Sequence, residues 1–429
     1  MTPHKRKHFF LKKFFRKMGP GVITGTADDD PSGIATYSQT GAQFGYAQLW
    51  TALFMLPMQI AIQESCARIG AVTGTGIAAV IKEYYSKKVL YLIVSLLLIA
   101  NTINIGVDIG AMAAAIDIVV PVNMILTTLI FTITILALEI FIPYKMYSNI
   151  LKWLCLSLFA YPLTLFIIQA DWLTILKATF IPHFEFNFEF IMILTGLLGT
   201  TISPYLFFWQ ASQEVEEEKT RHLLKEGKKP RFRKLFIRSL RFDNFIGMVF
   251  SQAGSWAIVV TTATVLHTHG ITDIKTAADA AKALEPLVQT FPHAGLLAKI
   301  IFATGIIGLG LLSIPVLAAS SAYALGDTLK WKVGLNLTLN NAHGFYGTII
   351  LGTLLGLTIN FMHFNPIKAL IYTAVLNGIV AVPLILIIIL IGRNEKIMGE
   401  YKNGLLSNIF VWLTFICMAI SAVLLIFIK

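Results

Sequence analysis

The stretch GTADDDPSGIATY, residues 25–37, places three consecutive carboxylates, Asp28, Asp29 and Asp30, directly before a proline and inside an otherwise apolar run. Proline removes a backbone donor and clashes with the preceding turn, so a helix entering this stretch breaks at Asp30-Pro31. An acidic break in lipid would leave polar backbone and charge unpaired, so the break faces protein or a wet cavity.

The rest of the chain shows that the setting is a bilayer. Of 429 residues, 56% are hydrophobic and 13% charged, with a mean hydropathy of +0.73. Apolar runs near the ~20 residues needed to cross the hydrocarbon recur throughout. Eleven spans are expected, at about 20–45, 47–66, 89–116, 122–143, 150–169, 190–212, 244–266, 296–325, 344–363, 368–392 and 407–428. The longest interval between them, 213–243, is short and charged and leaves no room for a soluble domain. The expected organisation is a basic segment, 1–18, followed by one transmembrane domain, 19–429.

The basic opening lacks a clean apolar core or cleavage site, so a removable signal peptide is not expected. By the positive-inside rule the N-terminus is cytoplasmic. Arg68, Lys82, Lys87, Lys88, Lys145, Lys152, the run at 219–241, Lys330, Lys332, Arg393, Lys396 and Lys402 then share that side. Eleven spans put the C-terminus outside, and the expected location is the plasma membrane. The net charge of +11 reads as topology and contact with anionic lipid rather than nucleic-acid binding. Cys66, Cys155 and Cys417 are too few and too dispersed for a disulfide framework or metal cluster.

A second break is expected at TTISPYLFF, where Pro204 interrupts span six as Pro31 interrupts span one. Interruptions at corresponding places in two successive five-span blocks are the pattern of inverted-repeat transporters with a midplane site. The repeats fall at about 19–170 and 190–392, with an extra helix at about 407–428. Unwinding at Asp30 frees carbonyls such as that of Ala27 beside the carboxylate. The second break offers the Thr200 carbonyl and the Ser203 hydroxyl. Carboxylate, carbonyl and hydroxyl together suit a hard cation.

Asp28 and Asp29 read either as a solvated helix terminus or as vestibule charges that concentrate cations. Asn101, Asn104 and Asp108 share one face of span three. They read as interhelical hydrogen-bonding groups or as the lining of an ion path, and Asn377 in span ten is a weaker case of the same. His222, His267, His269 and His293 lie in loops or at span ends, and no nucleophile-base pair or HExxH pattern supports an enzyme.

The run GPGVITGTADDDPSGIATYSQTGAQFGYAQLW with QESCARIGAVTG, residues 63–74, resembles the Nramp (natural-resistance-associated macrophage protein) divalent metal transporters. GLLGTTISPYLFFWQAS resembles the family's span six, and SSAYALGD gives local support farther on. The resemblance implies an all-α, leucine-transporter-like fold of two inverted five-helix repeats plus an eleventh helix, with metal held between unwound spans one and six and no cofactor. It retains the family's aspartate at Asp30 and the first span-three acid at Asp108. The family's asparagine ligand falls at Gly33, its methionine at Ser203, its histidine at Tyr205 and its second span-three acid at Ala111.

Loss of the thioether removes a soft ligand, which favours Mg²⁺ or Mn²⁺ over softer ions. The pattern is similar to the Nramp-related magnesium transporters. Tyr205 and Ala111 cannot relay protons at neutral pH, so weak or absent proton coupling is expected, against an alternative of broad Mn²⁺/Fe²⁺ transport with proton symport. A carrier of small organic solutes is a further reading of the same fold, and a non-transporting membrane metal sensor is the alternative of another class. A monomer is compatible with all of these.

Overall fold

The computed structural model describes residues 20–142, 146, 159–168, 170–220, 234–362 and 364–428. No strand occurs among them. The first span is two helices, α1 (Pro20–Asp28) and α2 (Pro31–Phe44), and the sixth is likewise two, α9 (Phe188–Thr201) and α10 (Pro204–Thr220). Between them lie α3 (Trp50–Thr73), the short α4 (Ile77–Tyr84), α5 (Lys87–Asp117), α6 (Met124–Phe141), α7 (Ala160–Leu165) and α8 (Trp172–Phe180). Beyond α10 come α11 (Lys234–Val265), the short α12 (Ala277–Ala281) and α13 (Glu285–Val288), then α14 (Ala294–Leu329), α15 (His343–Ile359), α16 (Pro366–Arg393), the short α17 (Glu395–Met398) and α18 (Leu405–Phe427).

Eight helical stretches among the described residues are long and apolar enough to cross a membrane, counting α9–α10 as one. The two halves of the first span are too short singly, and α3 carries buried Gln59, Gln63, Glu64 and Arg68. The fifth expected span falls mostly outside the described residues, which include its α7. Large apolar side chains such as Tyr91, Leu92, Ile133, Phe141, Ile426 and Phe427 face outward, a surface suited to lipid tails rather than water.

Two sequence expectations are corrected. The charged interval 213–243 is partly helical, since α10 runs to Thr220 and α11 begins at Lys234. Hydropathy ends with the membrane, whereas Glu, Lys and Arg continue a helix well. Arg68, expected among the cytoplasmic loop charges, lies within α3 and is only 1% exposed. Its guanidinium donates to Glu64 at 2.9 Å, to the carbonyls of Tyr401 and Lys402 and to Asn403 Oδ1. Arg241 of α11 pairs with the other Glu64 oxygen at 2.9 Å.

α9–α10 is almost wholly buried, with α9 against α16 and α10 against α3 and α14. The first broken helix packs along α11. There Gly21 and Gly25 meet the backbone of Asn244 and Gly247 so closely that a Cβ on either would collide. Small residues four apart let two helix backbones touch. The two broken helices are thereby held in the interior, with their interruptions enclosed by protein.

Candidate functional site

The first interruption consists of Asp29 and Asp30, between the last residue of α1 and the first of α2. Asp30 is the N-cap of α2: its Oδ1 accepts from Gly33 N at 2.8 Å and from Ser32 Oγ at 2.6 Å. Pro31 at the first helical position supplies the φ that a helix start needs and lacks a donor that would go unused. The cap occupies one carboxylate oxygen. The other, Oδ2, faces Tyr205 Oη at 3.4 Å, and the same hydroxyl donates to the Ala27 carbonyl at 2.9 Å. Tyr205 of α10 therefore bridges the free end of α1 and the capping carboxylate of α2.

At the second interruption, Ser203 Oγ donates to the Thr200 carbonyl at 2.6 Å and lies 3.1 Å from the Gly199 carbonyl. It satisfies acceptors left over at the end of α9. The Thr200 carbonyl, expected to face the cation, is thus already paired. The side chain of Thr200 is what faces the first break: a Cβ on Gly33 would lie 3.0 Å from Thr200 Oγ1, an atom with no hydrogen-bond partner among the described residues. The absence of a side chain at Gly33 keeps that hydroxyl and α2 in close approach.

Asp30, Ala27, Gly33, Thr200, Ser203 and Tyr205 are therefore gathered at the facing breaks, and all are buried. Among the described residues no three His, Cys, Asp or Glu side chains converge as a metal cluster. One carboxylate ringed by neutral oxygens is the arrangement present.

The expectation that Asp28 and Asp29 stand in a wet vestibule is corrected. Asp28 is fully buried and Asp29 is 5% exposed. Asp28 Oδ2 accepts from Gln59 Nε2 of α3 at 2.5 Å and from Ser251 Oγ of α11 at 2.7 Å. The close packing of α1 on α11 carries these acids into the interior. Gln59 and Ser251 did not emerge from the sequence reading, although each is a polar residue within an apolar run.

The span-three stripe divides. Asn101 Nδ2 donates to Leu317 O, Ser320 Oγ and Ser321 Oγ of α14, and Asn104 pairs with Asn377 of α16 at 2.8 Å. These bonds make Asn101, Asn104 and Asn377 ties between helices. Asp108 faces Ser313 and is close enough to Asp30 for their charges to interact, yet no hydrogen bond of good geometry holds its carboxylate among the described residues. Asp108 is the member of the stripe directed to the site.

A cavity of about 1120 Å³ opens at the C-terminal end of α2, lined among others by Gln39, Gln43, Glu185, Glu189, Asp273 and Lys368. Gln39 forms part of its lining, bonding Ile274 N at 2.9 Å and Thr272 O at 3.2 Å. His267 and His269 form a turn after α11, and His293 stands just before α14 with no side-chain bond to its first turn. His222 and Cys155 lie outside the described residues.

Two facing helix interruptions around one aspartate agree with the comparison that decides the family: a model described as natural resistance-associated macrophage protein-like matches residues 21–428. The chain belongs to the Nramp family. It is 25% identical over 418 residues to a divalent metal cation transporter MntH of Caldanaerobacter subterraneus, covering 95% of this chain and 93% of that one. A protein of the same name from Bacillus subtilis is 25% identical over 402 residues, covering 92% and 88%.

In structure, this Nramp chain resembles the Eremococcus coleocola manganese transporter, with a TM-score of 0.75 and 16% identity over 98% of this chain and 87% of that one. It also resembles Mhp1, a nucleobase-cation-symport-1 family transporter, with a TM-score of 0.55 and 13% identity over 96% and 91%. The fold is the leucine-transporter-like one. As an Nramp protein the chain is a multi-pass membrane transporter and not an enzyme.

Proposed function

We propose that this protein moves a hard divalent cation, Mn²⁺ or Mg²⁺, across the plasma membrane by alternating access, with Asp30 as the charged ligand and little or no proton coupling. The observation that carries this reading is the donor set at the facing breaks. Asp30 brings one carboxylate, and Ala27 O, Thr200 Oγ1 and Ser203 Oγ supply neutral oxygen, with the Tyr205 hydroxyl holding the Ala27 carbonyl until an ion takes it. Oxygen donors suit ions that dehydrate reluctantly, and a single carboxylate leaves room for retained water. Names of relatives add support: the MntH proteins are called divalent metal cation transporters and the Eremococcus protein a manganese transporter.

The two repeats, about 19–170 and 190–392, then act as the moving halves, with 407–428 as an added helix and 1–18 at the cytoplasmic side. The cavity at Gln39 serves as the outer vestibule, the C-terminus lies outside, and a single chain carries the whole site. The ion gradient and membrane potential drive uptake, since two charges crossing 100 mV gain about 4.6 kcal/mol.

One observation favours a softer cargo. A Cβ on Gly310 would lie 2.5 Å from Met112 Sδ and 3.6 Å from Pro31 Cγ, so a thioether from α5 sits beside the first break. Were it a ligand, Mn²⁺/Fe²⁺ transport with proton symport would be the better reading. Competition among Mg²⁺, Mn²⁺, Ca²⁺ and Cd²⁺ for flux into proteoliposomes decides. Cd²⁺ as the strongest competitor would overturn the hard-cation assignment, and saturable binding without flux would indicate a sensor.

A further inference from the structure

Asp28, Asp29 and Asp30 are all buried, and the Asp30 site uses one of the three carboxylates. Among the described residues, no Lys, Arg or His forms an ion pair with any of the three. A buried carboxylate without an opposite charge is strongly disfavoured, and buried charges are paired or coordinate metals. A divalent cation at Asp30 offsets two of the three charges and leaves one, and the ion lies with the partners of Asp30 rather than with those of Asp28 and Asp29.

Those two face a different set of groups. Asp30 bonds Ser32, Gly33 and Tyr205, whereas Asp28 and Asp29 share Ser251 Oγ, at 2.7 and 3.4 Å, and Asp28 also binds Gln59. No partner is common to the two sets. Gln252 Nε2 donates to Gln59 Oε1 at 3.2 Å, and Ser255 Oγ lies 3.3 Å from Gln252 Oε1, extending the polar cluster along α11. One further observation points to a missing ligand. Asp28 Oδ1 is fully enclosed and has no hydrogen-bond partner among the described residues. A cavity of about 10 Å³ beside Gln252 and Ser255 is otherwise lined largely by apolar side chains such as Leu49, Met55, Leu197 and Val259, and by neither acid.

We propose that Asp28 and Asp29, with Ser251, Gln59 and Gln252, form a second divalent-cation site between the first helix break, α3 and α11, separate from the site at Asp30. Two carboxylates match two positive charges. A rotated Ser251 hydroxyl and the amide oxygens of Gln59 and Gln252, turned about their terminal torsions, complete an all-oxygen set. A site so built selects hard divalent cations and offsets the repulsion that three adjacent carboxylates impose on the break.

The test counts Mn²⁺ bound to the full chain in nanodiscs, by the electron paramagnetic resonance signal of the free ion. The wild type is expected to hold two Mn²⁺ per chain. Asp30→Asn should retain one, and the Asp28→Asn/Asp29→Asn double variant should retain one. Ser251→Ala, which keeps both charges, should weaken one of the two ions by about tenfold. That milder variant decides the matter if the double variant elutes as aggregate. A wild type with one ion, lost in Asp30→Asn and unaffected by Ser251→Ala, would overturn the second site and leave the Asp30 reading standing. Loss of both ions in the double variant would equally overturn it, because the two sites would then be one.

Discussion

The Tyr205 hydroxyl donates to the Ala27 carbonyl at 2.9 Å while lying 3.4 Å from Asp30 Oδ2. A cation that uses the Ala27 carbonyl must displace this hydrogen bond. Tyr205→Phe removes the competing donor without changing the ring. Given a net worth of about 1 kcal/mol for such a bond, the expected result is an apparent KM for Mn²⁺ lowered by about fivefold in proteoliposome uptake. A raised KM would mean that the hydroxyl itself binds the ion.

Proton movement is tested at the same position. Tyrosine's ordinary pKa of about 10 and the methyl group of Ala111 put no proton carrier for neutral pH at the two positions 205 and 111. Vesicles loaded with a pH dye and given an inward Mn²⁺ gradient should show no acidification that tracks uptake. Tyr205→His should introduce a dependence of uptake rate on pH near the imidazole range. Metal-linked acidification in the wild type, absent in an Asp30→Asn control, would falsify the uncoupled mechanism.

Asp30 has two duties, as the cap of α2 and as the proposed ligand, and one substitution separates them. Asparagine caps a helix as well as aspartate does, so Asp30→Asn should fold with a thermal midpoint close to that of the wild type. Its uptake of divalent ions should be abolished. An Asp30→Asn protein that transports normally would leave the residue as a cap only.

Ser203 and Met112 together report on ligand softness. Ser203→Met introduces a thioether at the second break, and the ratio of Cd²⁺ to Mg²⁺ flux should rise. Met112→Leu should leave the wild-type ratio unchanged, because its sulfur lies on the Pro31 side and serves packing. A fall in Cd²⁺ flux in Met112→Leu would instead make that thioether a ligand.

Arg68 joins α3 to the chain after α17 through three acceptors while pairing with Glu64. Arg68→Ala removes the donor to the buried Asn403 Oδ1 and to the partly buried carbonyls of Tyr401 and Lys402, and leaves Glu64 with the more exposed Arg241. Leaving a buried acceptor such as Asn403 Oδ1 unmet costs about 1–3 kcal/mol, which should appear as a lower midpoint in a detergent thermal-shift measurement. Arg68→Lys should recover part of the loss, since an ammonium lacks the planar fork. An unchanged midpoint in Arg68→Ala would show that the cluster contributes little to stability.

The break at Asp30-Pro31 was legible in the sequence because its cause is local: proline lacks the donor a helix interior needs and small polar residues flank it, whereas Pro57, Pro315 and Pro383, set in apolar runs, stay inside continuous helices. The second break followed from Pro204 for the same reason. The destination of Arg68 was not legible, because a basic residue at the end of an apolar run looks the same whether it enters water or meets Asn403 across the fold. Asp28 and Asp29 were misread for a like reason. Their burial depends on Gln59 and Ser251, which are 31 and 223 residues from Asp28 in the chain.

By itself the sequence determined the membrane setting, the positions of the two interrupted helices and the aspartate between them, since these rest on hydropathy, proline geometry and the energetic penalty for charge in hydrocarbon. Only the tertiary structure decided which oxygens face that aspartate. It turned the Thr200 hydroxyl toward Gly33, brought Tyr205 onto the Ala27 carbonyl and divided the three acids between two sets of partners. The physical reason is that a side chain's partner is set by how helices cross, and crossings such as Gly25 on Gly247 are fixed by backbone contact between residues 222 positions apart, which no local pattern encodes.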